Sequence, residues 1–153
     1  NVKYILSLDE LKSMDLEFAY QEGETKIYWY KHALSRVYPV ESLIYEDSKQ
    51  HVMNVLYSPS FDPARQAVVE EALLMPKSSI NAADTIDIIT YSPSQIRMIT
   101  GFMDDHFVVI ANMYNSGWKA SVDSIPIPIY RTNYLFQGIV VPKGNHNVVL
   151  HYQ

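Results

Sequence analysis

After the apolar run Phe107-Val108-Val109-Ile110-Ala111, the chain reads Tyr114-Asn115-Ser116-Gly117-Trp118-Lys119-Ala120-Ser121-Val122-Asp123, and this alternation limits the fold more than any other stretch. Successive side chains on a strand point to opposite faces, so Trp118, Ala120 and Val122 share one face and Lys119, Ser121 and Asp123 the other. A half-buried strand satisfies both halves of the pattern, with Gly117 permitting a sharp or φ-positive turn ahead of it. Trp118 is read as a core aromatic burying roughly 200 Å², in preference to a ring that stacks on a ligand.

The next run, Ile125-Pro126-Ile127-Pro128-Ile129, reads as one strand with two prolines two residues apart. Both missing N–H donors then lie on the same lateral side, which predicts a sheet edge. Arg131-Thr132-Asn133-Tyr134 supplies a polar corner before the run Leu135 to Val141. The turn Pro142 to His146 and a closing strand to Tyr152 follow. Upstream, Thr85 to Tyr91 and Gln95 to Phe102 add two more strands, with the tip Met103-Asp104-Asp105 before the Phe107 run. About seven short strands at this spacing predict an antiparallel β-sandwich over residues 85–153.

The first half is more mixed. Asn1 to Ser7 alternates as a strand, and Leu16 to Tyr20 and Thr25 to Tyr30 flank a polar loop containing Gly23, a hairpin signal. Arg36 to Val40 and Ser42 to Tyr45 read as strands broken at Pro39. Ser48 to Tyr57 is the clearest helix, capped by Asp47 or Ser48, striped by Val52, Val55 and Leu56, and stopped by Ser58-Pro59. Asp62 ahead of Pro63 is read as an Asx-type cap. Gln66 to Glu71 reads as a strand, and the aperiodic stretch after it as a linker. The expected organisation is a small α+β lobe over 1–72, a linker over 73–84, and the sandwich: a mainly β protein, α+β overall.

Composition excludes several function classes. A net charge of −5 without a basic run argues against nucleic acid and anionic lipid as partners. No cysteine is present, which removes disulfides, thiol catalysis and cysteine-based metal sites. No apolar stretch approaches the roughly 20 residues that span a bilayer, and no signal sequence precedes the first strand, so a soluble chain without bilayer insertion is expected. Tyrosine is the unusual count, at 12; half-buried strand faces account for it more simply than a surface of aromatic platforms.

Catalytic and metal patterns are thin. Asp104-Asp105-His106 offers ligand atoms, but neighbours on a strand diverge, and a hairpin tip is the preferred reading. The five histidines are scattered, there is no Gly-x-Ser-x-Gly elbow, and the five glycines form no phosphate-cradling loop. Glycosidase-type carboxylate pairs stay open because folding and not spacing assembles them. Asp87, between Ile86 and Ile88, is expected to face solvent. What remains is a corner of Tyr114, Trp118, Lys119, Asp123, Tyr130, Arg131, Asn133 and Tyr134. Its structural reading is an Arg131–Asp123 ion pair joining neighbouring strands. Its functional reading is a sugar ring stacked on Tyr134 or Tyr114, with Arg131 and Asn133 bonding its hydroxyls.

The series Gly117-Trp118-Lys119-Ala120-x-Val122-Asp123, then Pro128-Ile129-Tyr130-Arg131-x-Asn133-Tyr134-x-Phe136, then Val141-Pro142-x-Gly144-x-His146-x-Val148, resembles the C-terminal extracytoplasmic region of the YfhO-like bacterial membrane protein family. The likeness extends upstream to Asn1-Val2-Lys3-Tyr4-Ile5, Lys26-Ile27-Tyr28, Ala33 to Tyr38, Phe61 to Arg65 and Val68-Val69-Glu70, and so covers nearly the whole chain. It departs where the usual Asp-Gly turn is Asp123-Ser124, and where the arginine often found after the Tyr-x-Phe segment is Gln137.

The resemblance implies an extracytoplasmic domain of a polytopic membrane protein related to glycosyltransferases that use lipid-linked sugars. Flanking membrane helices would lie outside this chain. Transfer chemistry would sit near the membrane, so no cofactor and no catalytic activity are expected of the domain itself. The partners it implies are cell-envelope glycan or the membrane portion of the parent. A carbohydrate-binding module and a purely structural interaction domain stand as alternatives, with a secreted hydrolase behind them.

Overall fold

Among the described residues the alternating runs become fourteen strands and one helix. The computed structural model describes residues 2–73, 75 and 77–153, and the chain divides into two compact units, Asn1–Arg36 and Val37–Gln153.

The first unit is a three-stranded antiparallel sheet of β1 (Tyr4–Ser7), β2 (Leu16–Glu22) and β3 (Thr25–Tyr30), in the order β1-β3-β2. Gly23 closes the predicted β2–β3 hairpin at φ 58°. Tyr28 is buried, packs edge-on against Phe18 at 5.9 Å, and accepts the Leu11 N–H on its hydroxyl at 3.0 Å. A bulge between Phe18 and Tyr20 puts these two rings on opposite faces, since Phe18 pairs with Tyr28 but Tyr20 with Ile27. The face opposite Tyr28 therefore gathers Tyr4, Leu6, Tyr20 and Trp29, all exposed.

The second unit pairs two sheets. Its first elements are β4 (Val37–Val40), β5 (Ser42–Tyr45), α1 (Lys49–Leu56) and β6 (Gln66–Val69). After them come β7 (Thr85–Tyr91), β8 (Gln95–Phe102), β9 (His106–Met113), β10 (Trp118–Val122), β11 (Ile125–Ile127), β12 (Tyr130–Thr132), β13 (Phe136–Val141) and β14 (Gly144–Tyr152). One sheet runs β11-β10-β14-β8-β7 and the other β4-β9-β13-β12-β6-β5. All pairings are antiparallel except β5 with β6, which α1 connects as a parallel crossover. The mainly β reading holds.

The domain boundary does not fall where the composition placed it. Strands β4, β5 and β6, assigned from sequence to a separate lobe, hydrogen-bond into the same sheet as β9, β12 and β13. The stretch read as a linker is anchored as well: Leu73 and Met75 pack on Val40, Ala67, Val69, Phe107 and Val109. Loss of periodicity there reflects irregular backbone lying over a sheet. Residues 74 and 76 of that stretch lie outside the described residues.

The other face of this six-stranded sheet meets its partner across a core of Val37, Val108, Ile110, Ile139 and Val141 against Ile96, Met98, Trp118, Val122, Val148 and Leu150. Being covered on both faces, β9 needs an unbroken apolar run, which is what Phe107 to Ala111 provides.

Pro39 sits inside β4, an edge strand that tolerates it. β11 is likewise an edge, which accommodates Pro126, but Ile125 to Ile129 is not one strand: the chain leaves one sheet at Ile127, passes through Pro128 and enters the other at Tyr130. In α1, the Ser48 hydroxyl accepts the His51 N–H at 3.2 Å and Val52 is fully buried. The Asp62 carboxylate accepts the Ala64 N–H at 3.0 Å, the expected Asx cap, and Asp87 is exposed. Among the described residues no helix is long and apolar enough to cross a membrane.

Candidate functional site

The predicted corner separates into two parts because β10 and β12 belong to different sheets. On the β10 side, Trp118 is 8% exposed, packs in the core, and meets the Tyr152 ring edge-on at 5.8 Å. Gly117 serves close approach and not a positive φ, since a Cβ there would lie 2.7 Å from the Tyr152 ring. Lys119 Nζ donates to the Ser116 carbonyl at 3.2 Å. Asp123 does not pair with Arg131. It accepts from His146 Nδ1 at 2.6 Å and from the Asn147 N–H at 2.8 Å, which hold its carboxyl below its ordinary pKa.

On the other side, Tyr130 packs against Phe107 on the outer face of the six-stranded sheet. Asn133 acts as a substitute strand partner: its N–H donates to the Val68 carbonyl and its Oδ1 accepts the Val68 N–H, both at 2.8 Å. Asn133 and Tyr134 occupy positive φ, at 47° and 72°, as the turn into β13 demands.

Two of the predicted residues do come together. The Arg131 guanidinium lies over the Tyr114 ring, 4.8 Å from its centroid. The register then adds two groups that no sequence pattern marks. Arg131 is directly opposite Gln137 on β13, and the Thr132–Val69 pairing brings Glu70 opposite Arg131 on its other flank. Carboxylate, guanidinium and carboxamide thus stand in one row across three neighbouring chain segments. Gln137 stands out in the sequence only as a departure from the family pattern, and Glu70 only inside the strand Gln66 to Glu71 and in the upstream likeness. Only the pairing register shows that they flank Arg131.

This row is not satisfied internally. Arg131 Nε and Glu70 Oε1 are 3.8 Å apart, an ion pair too long to be a hydrogen bond, and among the described residues the guanidinium meets no other acceptor. Gln137 Nε2 donates to the Met113 carbonyl at 2.9 Å, but its Oε1 is buried without a donor, and so is Glu70 Oε1. An unpaired buried acceptor costs on the order of 1–3 kcal/mol. Arg131 remains 36% exposed, so the row opens to solvent beside an aromatic ring. The two oxygens have no donor among the described residues, and the guanidinium keeps N–H groups without an acceptor.

Among the described residues one group could hold a metal, Glu46, Asp47 and His51. It is a solvated charge cluster at the start of α1, with the imidazole 3.5 and 3.7 Å from the two carboxylates. A polar depression that extends from Ser42, Asp62 and Gln66 to Ser78 and Ser79 has the Arg65–Glu41 ion pair, at 2.7 Å, in its lining.

No family model matches the chain, and no curated protein or solved structure matches it either.

Proposed function

We propose that this chain is an extracytoplasmic domain of a multi-span, glycosyltransferase-related membrane protein, and that it positions cell-envelope glycan while sugar transfer takes place elsewhere. The observation that carries the reading is the Glu70–Arg131–Gln137 row beside Tyr114, with donors and acceptors left unused. Sugars offer adjacent hydroxyls that both donate and accept, together with an apolar ring face. A planar guanidinium, two acceptors and a tyrosine ring complement that chemistry. The resemblance of residues 117–148 to YfhO-like proteins supplies the membrane parent and the envelope setting.

Calorimetric titration with envelope polysaccharide fragments tests this. Saturable binding is expected, weakened about tenfold by Arg131→Ala at unchanged melting temperature, the effect of losing one charged hydrogen-bonding group. A silent panel, or a variant that loses stability but not affinity, counts against it.

A purely structural role draws support from a different feature, the exposed face of Tyr4, Leu6, Tyr20 and Trp29 on the first unit's sheet. In this reading that face packs on the membrane portion of the parent. Trp29→Ser with Leu6→Ser would then abolish association with that portion and leave glycan binding intact.

A further inference from the structure

Three residues distant in sequence form one hydrogen-bonded relay. His106, at the start of β9, is fully buried; its Nε2 lies 3.1 Å from Asp84 Oδ2 and its Nδ1 3.0 Å from Ser78 Oγ. Phe102 packs edge-on against the imidazole at 4.9 Å and fixes the ring plane. The Asp84 side chain is 2% exposed and also accepts the N–H groups of Asn81 at 2.7 Å and Met103 at 2.9 Å. Burial alone would raise its pKa, but these two amides and His106 hold it below the ordinary value. The ionised carboxylate keeps the imidazole proton on Nε2. Nδ1 is then the acceptor, and the Ser78 hydroxyl donates to it.

That is the arrangement of nucleophile, base and orienting carboxylate, with the two ring nitrogens exchanged relative to the familiar triad. The exchange costs nothing chemically, because either nitrogen accepts a proton once the other carries one. Two further features point outward. Ser78 is half-buried and lines an open depression with Lys77, Ser79, Asp104, Asp105 and Lys143. Its own N–H is held by the Glu41 carbonyl at 3.1 Å, whereas the Ser79 N–H meets no acceptor among the described residues. A free amide directly after a nucleophile is a donor for a developing oxyanion.

We propose that Ser78 is an acyl-accepting nucleophile with His106 as its base and Asp84 as a positioning residue, acting on a carboxylic ester of a polar alcohol. The polar lining of the depression, two lysines, two aspartates and two serines, disfavours long-chain lipid esters. Ser78 Oγ bonds to the carbonyl carbon while its proton passes to His106 Nδ1 and the carbonyl electron pair moves onto oxygen. Collapse breaks the bond to the alkoxy group, which leaves as an alcohol with the proton from Nδ1. Water repeats the attack, releases the carboxylic acid and restores Ser78. This is independent of the glycan reading and departs from the expectation of a chain without catalytic residues.

The full chain is treated with a fluorophosphonate probe and, separately, with 4-nitrophenyl acetate. Covalent modification mapped to Ser78 is expected, together with ester turnover that falls about a hundredfold in Ser78→Ala, the contribution of a based nucleophile. Ser78→Ala removes one oxygen from a half-buried side chain, and circular dichroism checks that it folds. No adduct on Ser78 of the folded wild type, or equal turnover in Ser78→Ala, overturns the proposal.

Discussion

The Asp123 carboxylate and the His146 imidazole meet at 2.6 Å where the β10–β11 turn lies against the start of β14. His146 also directs Nε2 at the Lys143 carbonyl, 2.9 Å away, so its doubly protonated ring finds an acceptor on each side. The bond to Asp123, then that to Lys143, raises the pKa of His146, and the same contact is the first cause lowering that of Asp123. Stability from His146 is present in full below about pH 6.5 and fades as pH rises through its raised value. Stability from Asp123 is present above about pH 4 and fades as pH falls through its lowered value. The melting-temperature difference between wild type and His146→Gln is therefore expected to be largest between those limits and to shrink on both sides. A pH-independent difference would show that packing, not charge, makes the contribution.

The same turn contains a second test. Asp123 and Ser124 sit at φ 49° and 70°, the left-handed pair of a two-residue hairpin loop. A serine there carries a strain that glycine avoids. Ser124→Gly is expected to raise unfolding free energy by about 1 kcal/mol, measured by urea denaturation. A decrease would mean that glycine's greater freedom in the unfolded chain outweighs the relief.

At Gly138 the sheet leaves no room. A Cβ would overlap the Phe107 ring and Thr132 Oγ1, both well-packed neighbours. Gly138→Ala is expected to cost about 3 kcal/mol, read from the same denaturation curves. Adding Phe107→Leu, which withdraws the ring tip, should recover part of the loss.

Asn133 separates fold from ligand. Asn133→Ala leaves the Val68 N–H without its side-chain acceptor and should destabilise by roughly 1–3 kcal/mol. Glycan affinity of the folded fraction should not change, in contrast to Arg131→Ala. Equal loss of affinity in both variants would return Asn133 to the binding site.

Local patterns carried much of the fold. Alternation at Trp118, Ala120 and Val122 predicted their burial, and the prolines of 125–129 predicted an edge. Ser48, Gly23 and Asp62 marked a cap and two turns through chemistry confined to a few residues. The domain division was misplaced because composition does not reveal that β4 and β6 find their partners in β9 and β12.

The two sites show the same limit. Tyr114 and Arg131 were singled out by residue type, but Glu70 and Gln137 reach Arg131 only through strand register. Ser78 and Asp84 lie in an irregular stretch and His106 where the chain passes from one sheet to the other, and their hydrogen bonds span 22 and 28 positions. Periods of two and turn residues are local properties of a chain, so its sequence determines strands, edges and caps. Pairing between distant segments depends on which apolar faces bury one another, so tertiary structure alone decided which polar side chains meet.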